Sequence, residues 1–154
     1  MYYERWKMNK NIKISEIMSK NVFTVDINDP VNKADEIFKV EQIHNLPVLE
    51  GDKFVGIIFK SKLEEYKLRH LYDFDEKEDE IEVNRISEYE NLINRNLHFL
   101  YPEDTIQKAI ELMAKYRYEC LPVVDWDKHL IGILSYYDIL LYLNKYFKEG
   151  NIIS

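Results

Sequence analysis

Residues 46–60 read LPVLEGDKFVGIIFK, and residues 121–136 read LPVVDWDKHLIGILSY. Each stretch opens on an apolar run with proline in second place. A polar turn follows, GDK or WDK, and then a second apolar run carrying one glycine, Gly56 or Gly132. Short runs rich in Val, Ile and Leu between polar turns read as buried strands, so each stretch is expected to form a strand pair. The two stretches are the same text written twice. Laying residues 29–48 on 104–123, an offset of 75, gives identities at Asp29/Asp104, Lys33/Lys108, Ala34/Ala109, Glu36/Glu111, Leu46/Leu121, Pro47/Pro122 and Val48/Val123. Average composition gives roughly one such identity by chance in a window of this length. The chain therefore holds two copies of one supersecondary unit.

Moving outward, each copy begins with an apolar stretch, Val22–Val25 or Leu97–Leu100, expected as a strand. A helix start comes next. Asp29 before Pro30 suits an N-cap and first turn, and Asp104 with Gln107 three residues on resembles a capping box. Apolar residues then recur at helical spacing, at Val31, Ala34, Ile37 and Phe38 and at Ile106, Ala109, Ile110 and Met113. A last helix closes each copy, over about 61–71 and 136–147. The order is β-α-β-β-α, twice, an α/β (α+β) fold. One unit of about 60 residues buries only a marginal core, so the two are expected to pack sheet to sheet as one pseudo-twofold domain. The divisions are a first motif over 10–71, a connector over 72–85 and a second motif over 86–149.

The 154 residues carry 21 basic and 28 acidic side chains, a net charge of −7. Residues 73–82, DFDEKEDEIE, hold seven of those acids and one lysine, so the rest of the chain is near neutral. The acidic run reads as a solvated connector. Neither a basic footprint for nucleic acid nor a polybasic membrane patch is present. No apolar run approaches the ~20 residues that span a bilayer, and the first ten residues, MYYERWKMNK, put charges where a signal peptide needs an apolar stretch. The single cysteine, Cys120, excludes an internal disulfide, and its apolar surroundings mark it as a core thiol. The expected setting is cytoplasmic. His44, His70, His98 and His129 show no metal-ligand spacing, and no P-loop, G-x-G-x-x-G or G-x-S-x-G occurs, so neither a metal site nor a catalytic residue is assigned.

The pattern h-x-LPVh, a turn, then hhGhhS-x-x-Dh resembles the CBS domain, and two in tandem resemble a Bateman module. The likeness covers about residues 12–147. It implies a stand-alone, non-enzymatic sensor that binds an adenosine-containing effector (AMP, ADP, ATP, S-adenosylmethionine or cyclic di-AMP) in a cleft between the motifs. The effector is a signal for an unknown regulated partner, not a cofactor. The family's habit of pairing modules also implies a homodimer. Carried over residue by residue, Asp138 would take the ribose hydroxyls and Ser135 the ribose–phosphate side. Met18, Phe23, Ile43 and His44 would form the adenine pocket.

Physical chemistry supports the first two roles: a first-turn carboxylate accepts from a diol, and a hydroxyl with free helix N–H groups suits a phosphate. Ser-x-x-Asp is also close to a capping box, so a cap and a ligand site both stand open here. The first copy departs from the pattern. Phe59 stands at the serine position and Lys62 at the aspartate position, and an ammonium cannot accept from a diol. One adenosyl site per chain is expected. Glu119 occupies a place where some members carry a base that meets phosphate, leaving Lys62 and Arg117 as candidate phosphate contacts. The alternative is a ligand-free scaffold for dimerisation or protein interaction.

Overall fold

A computed structural model describes residues 11–70 and 84–150. The acidic run and the aromatic N-terminus lie outside the described residues. In chain order the elements are β1 (Val25–Asp26), α1 (Val31–Glu41), β2 (Asn45–Glu50), β3 (Lys53–Phe59), α2 (Lys60–His70), α3 (Ile106–Tyr116), β4 (Cys120–Val124), β5 (Leu130–Ser135) and α4 (Tyr136–Gly150). Short 3-10 turns occur at Ile14–Glu16, Ile86–Glu88 and Glu90–Leu92. The fold is mixed α/β. Both expected strand pairs form: Leu46 faces Ile58 and Val48 faces Gly56, while Leu121 faces Leu134 and Val123 faces Gly132. A register shift falls at the same place in both, after Val48 and after Val123.

The chain divides into two compact units that do not follow the order of the repeats. The N-repeat unit comprises residues 21–97 with 127–129. Its sheet runs β1-β2-β3, with β1 parallel to β2. Val31, Ala34 and Phe38 of α1 are buried against Leu46, Val48, Ile58 and Leu63. Ile86, Leu92 and Ile93, from the opening segment of the second motif, belong to this same core. The C-repeat unit contains residues 11–20, 98–126 and 130–150 of the described chain. Ala109, Met113, Leu121, Val123, Leu134 and Ile139 form its core, completed by Ile14 and, at its edge, Ile17 and Met18. The core of each unit is thus completed by the opening segment of the other motif. Full burial of one such side chain contributes about 1.5–3 kcal/mol, so these sealing residues are a substantial part of each core.

Four expectations need correcting. The first strand, expected over Val22–Val25, forms only at Val25–Asp26. The stretch 97–100 is not a strand; it makes a single parallel bridge, Leu100 to Val123. In the N-repeat unit the Ile27 N–H donates to Leu49 O at 2.8 Å, adding a rung after β1. The matching residue in the second copy is Pro102, which has no N–H to give. The helix caps also fall one residue later than expected. Pro30 is the N-cap of α1, without a side-chain bond. Thr105 caps α3 by accepting from the Lys108 N–H at 3.3 Å. Asp29 and Asp104 turn back instead to accept from the backbone of Asp26 and Tyr101, each at 2.8 Å, and pair with Lys33 and Lys108. Finally, the last helix runs on to Gly150.

Both middle helices end on a left-handed residue that is not glycine, Gln42 with φ 51° and Arg117 with φ 58°. That reversal turns the chain back into β2 or β4, and for a side chain with a Cβ it carries a cost of roughly 1–2 kcal/mol. Asp35 on α1 ties this helix to α2 through Lys67 at 2.9 Å and also holds Lys39 at 2.8 Å. Burial acts to raise the Asp35 pKa, but the two lysines outweigh it and hold the carboxyl below its ordinary value.

Candidate functional site

The C-repeat unit brings Met18, Ser135 and Asp138 together, and adds Ser19. Gly132 explains how. A Cβ at this position would lie 2.6 Å from Met18 Sδ and 3.0 Å from Ser19 O, so glycine lets the leading segment lie this close to β5 without displacing the Met18 side chain. Ser19 and Ile133 then exchange backbone hydrogen bonds of 2.9 and 3.0 Å. Three residues on, β5 ends at Ser135 and α4 begins.

Ser135 and Asp138 cap one another. The Ser135 N–H donates to Asp138 Oδ2 at 2.8 Å, the Ser135 hydroxyl donates to the same oxygen at 3.0 Å, and the Asp138 N–H donates to Ser135 Oγ at 3.3 Å. The Ser19 hydroxyl donates to the other oxygen, Oδ1, at 3.1 Å. The capping role read from the sequence is therefore present. It orients a half-buried carboxylate whose position is fixed from two segments far apart in the chain. Tyr136 starts α4 by donating its N–H to Glu119 O at 3.0 Å, which places Glu119 beside the first turn of that helix. Arg117 is exposed at the left-handed end of α3.

Next to it lies an aromatic group that sequence reading did not resolve. His98 stacks on Tyr116, centroids 4.4 Å apart, and its Nδ1 lies 2.7 Å from the Tyr118 hydroxyl. Cys120 is buried, and desolvation, aided by the Glu119 charge, pushes its thiol up to about 12. Such a thiol is not a nucleophile at neutral pH.

The remaining candidates belong to the N-repeat unit. Phe23 is exposed, Ile43 packs at the edge of the core, and His44 is exposed. The His44 carbonyl accepts from the Lys60 N–H at 2.9 Å, the counterpart of the Glu119–Tyr136 bond. Between His44 and Leu46, the buried Oδ1 of Asn45 has no partner among the described residues, and buried polar atoms are ordinarily satisfied. Gly56 repeats the role of Gly132: a Cβ there would meet Ile93 Cγ2 at 2.5 Å and Asn94 O at 2.7 Å. Lys62 pairs with Glu65 at 3.2 Å, and Arg69 holds the same carboxylate at 2.7 Å. The Lys62 hydrogen bond and charge, joined by Arg69, keep the Glu65 pKa low. These three side chains line a groove of about 380 Å³ with Tyr66, Tyr89 and Asn91. It offers nothing like the Asp138 carboxylate held by serines.

Residues 14–68 and 86–145 match the CBS domain family, and the chain belongs to that family. It is similar to inosine-5'-monophosphate dehydrogenase of Thermoplasma acidophilum, at 31% identity over 136 residues, covering 87% of this chain and 24% of the dehydrogenase. A CBS domain-containing protein of Dictyostelium discoideum is 26% identical over 132 residues, covering 84% of this chain and 89% of that protein. The chain spans less than half the length of the first curated relatives it matches. Among solved structures, it resembles the CBS domain pair of protein MJ0100 in complex with 5'-methylthioadenosine and S-adenosyl-L-methionine, with a TM-score of 0.68 and 24% identity. That likeness covers 87% of this chain and 97% of the other. CBSX2 in complex with AMP gives a TM-score of 0.70 at 20% identity, covering 86% and 96%. The fold is that of a CBS domain pair, and no helix among the described residues is long and apolar enough to cross a membrane.

Proposed function

We propose that this chain is a non-enzymatic sensor that binds an adenosine-containing effector with its sugar at Asp138 and Ser135. The observation that carries the reading is the half-buried Asp138 carboxylate, held at the first turn of α4 by hydroxyls rather than by a cation. A carboxylate in such a setting accepts from sugar hydroxyls as readily as from serine hydroxyls. The ligands of the two CBS pairs named above supply the chemical class, AMP or an S-adenosyl compound. Met18 and Ser19 share the unit with this carboxylate. Phe23, Ile43 and His44 remain the candidates for the base. Arg117 is the candidate phosphate contact on the same unit as Asp138, while Lys62 is already engaged by Glu65. A response reaches a partner protein only if the effector binds two conformations with different affinity.

A second copy of the chain is the proposed companion. Tyr137, Leu140, Leu141 and Phe147 leave an apolar stripe exposed along α4, each at 50% or more. Stripes of this kind mark association surfaces.

Thermal unfolding in the presence of AMP, ATP, S-adenosylmethionine and cyclic di-AMP tests the sensor reading, since a ligand at 100 times its Kd adds ~2.7 kcal/mol. Asp138→Ala is expected to weaken binding by about 1.5–3 kcal/mol, the scale of a hydrogen bond to a charged group. A protein that none of these compounds stabilises is a scaffold instead.

A further inference from the structure

A carboxylate has about four acceptor positions, two on each oxygen. Both on Asp138 Oδ2 are taken, by the Ser135 N–H and the Ser135 hydroxyl. On Oδ1 the Ser19 hydroxyl takes one. A sugar diol needs two, so it cannot seat fully on Asp138 unless a serine hydroxyl moves. The two serines are not held alike. Ser135 Oγ both donates to Asp138 and accepts from its backbone N–H, inside the cap of α4. Ser19 is exposed, and its hydroxyl makes the single bond to Oδ1 at 3.1 Å. Its backbone, in contrast, is pinned to Ile133 by two hydrogen bonds and pressed against Gly132. Only one side-chain rotation is needed to free Oδ1, and the same pinning returns the hydroxyl when the site empties.

We infer that Ser19 is a positioning residue and an internal competitor for the sugar: its hydroxyl stands in for a ribose hydroxyl on Asp138 and yields that place on binding. The inference rests on the sugar assignment made above. It makes affinity adjustable at a residue outside the Ser-x-x-Asp motif. Removing the hydroxyl leaves the backbone bonds in place and opens both positions on Oδ1, so binding tightens.

The test is calorimetric titration of AMP, and in parallel S-adenosylmethionine, into the parent protein, Ser19→Ala, Ser19→Thr and Asp138→Ala. Ser19→Ala is expected to lower Kd about 3- to 10-fold, the range of one ordinary hydrogen bond. Ser19→Thr keeps a hydroxyl and returns Kd toward the parent value, which a purely structural effect of position 19 does not predict. If Asp138→Ala weakens binding while Ser19→Ala leaves it unchanged or weaker, the competitor role is wrong and the sugar assignment stands. If Asp138→Ala binds like the parent, the sugar assignment fails and takes the role of Ser19 with it. Absence of binding of both probes to the parent overturns both.

Discussion

Gly56 and Gly132 occupy matching places in the two repeats, yet alanine there should cost very different amounts. At Gly56 the new Cβ would lie 2.5 Å from Ile93 Cγ2 and 2.7 Å from Asn94 O. Non-bonded carbons rest about 3.5–4.0 Å apart, so the leading segment must retreat by roughly 1 Å. Its backbone is the obstacle and cannot rotate away. Retreat stretches or breaks the pair of hydrogen bonds between Ile57 and Asn94, now 3.0 and 2.8 Å, worth about 0.5–1.5 kcal/mol each. It also re-exposes part of Ile93, which is 5% accessible. Against this stands the gain of roughly 0.5–1 kcal/mol from replacing glycine in a strand. The expected net loss for Gly56→Ala is about 2–3 kcal/mol.

At Gly132 the tightest contact, 2.6 Å, is with Met18 Sδ, the far part of an unbranched side chain that can turn aside. The backbone contact, Ser19 O at 3.0 Å, needs only a few tenths of an ångström. The expected loss there is about 0–1 kcal/mol. Urea denaturation followed by far-UV circular dichroism measures both variants against the parent. If Gly132→Ala costs as much as Gly56→Ala, or if Gly56→Ala costs under about 0.5 kcal/mol, the close-approach argument is wrong.

Three further outcomes are expected. Arg117→Gly relieves the left-handed backbone at the end of α3 and should raise stability by about 0.5–1 kcal/mol in urea, while weakening AMP binding if the guanidinium meets phosphate; unchanged affinity removes Arg117 from the site. Lys67→Met cuts the tie from α2 to Asp35. Because the Asp35 pKa is lowered on folding, its contribution is whole above the ordinary carboxylate value and fades as pH falls through the folded value. The variant should therefore lose about 0.5–1 kcal/mol at pH 7 and nothing near pH 2, and a deficit that persists in acid points to packing instead. Cys120 should resist a thiol reagent at pH 8 in the folded protein and react promptly in urea; rapid modification without denaturant contradicts its burial.

The strand pairs and the helices were legible because their signals are local: apolar spacing, the LPV runs, a glycine at a fixed place. Family likeness, carried by the same residues, fixed the fold as a CBS pair. What failed did so where one residue answers to another far away. The second copy lost its first strand to Pro102, whose missing donor matters only opposite Val124. The caps moved because Asp29 and Asp104 found better donors behind them. Ser19 was missed because its partner Asp138 is 119 residues distant. A usable signal did exist: Ile-Ser-Glu occurs at both 14–16 and 86–88, upstream of the window in which the repeats were aligned. That match stands at an offset of 72, so three extra residues enter the second copy after it, and the offset of 75 then brings Met18 and Ser19 opposite Ile93 and Asn94, the two pairs that press on the glycines.

The sealing of each core by chain from the other repeat has a consequence for how the protein can be cut and made. A fragment ending within the connector lacks Ile86, Leu92 and Ile93, and the complementary fragment lacks Ile14 and Met18, so neither carries a finished interior. A protease that nicks the connector frees neither piece, because each is threaded into the other's fold. During synthesis, the first half waits for residue 94 to be made before its core is complete, and Ile14, Ile17 and Met18 stay unmated until β4, β5 and α4 have been made.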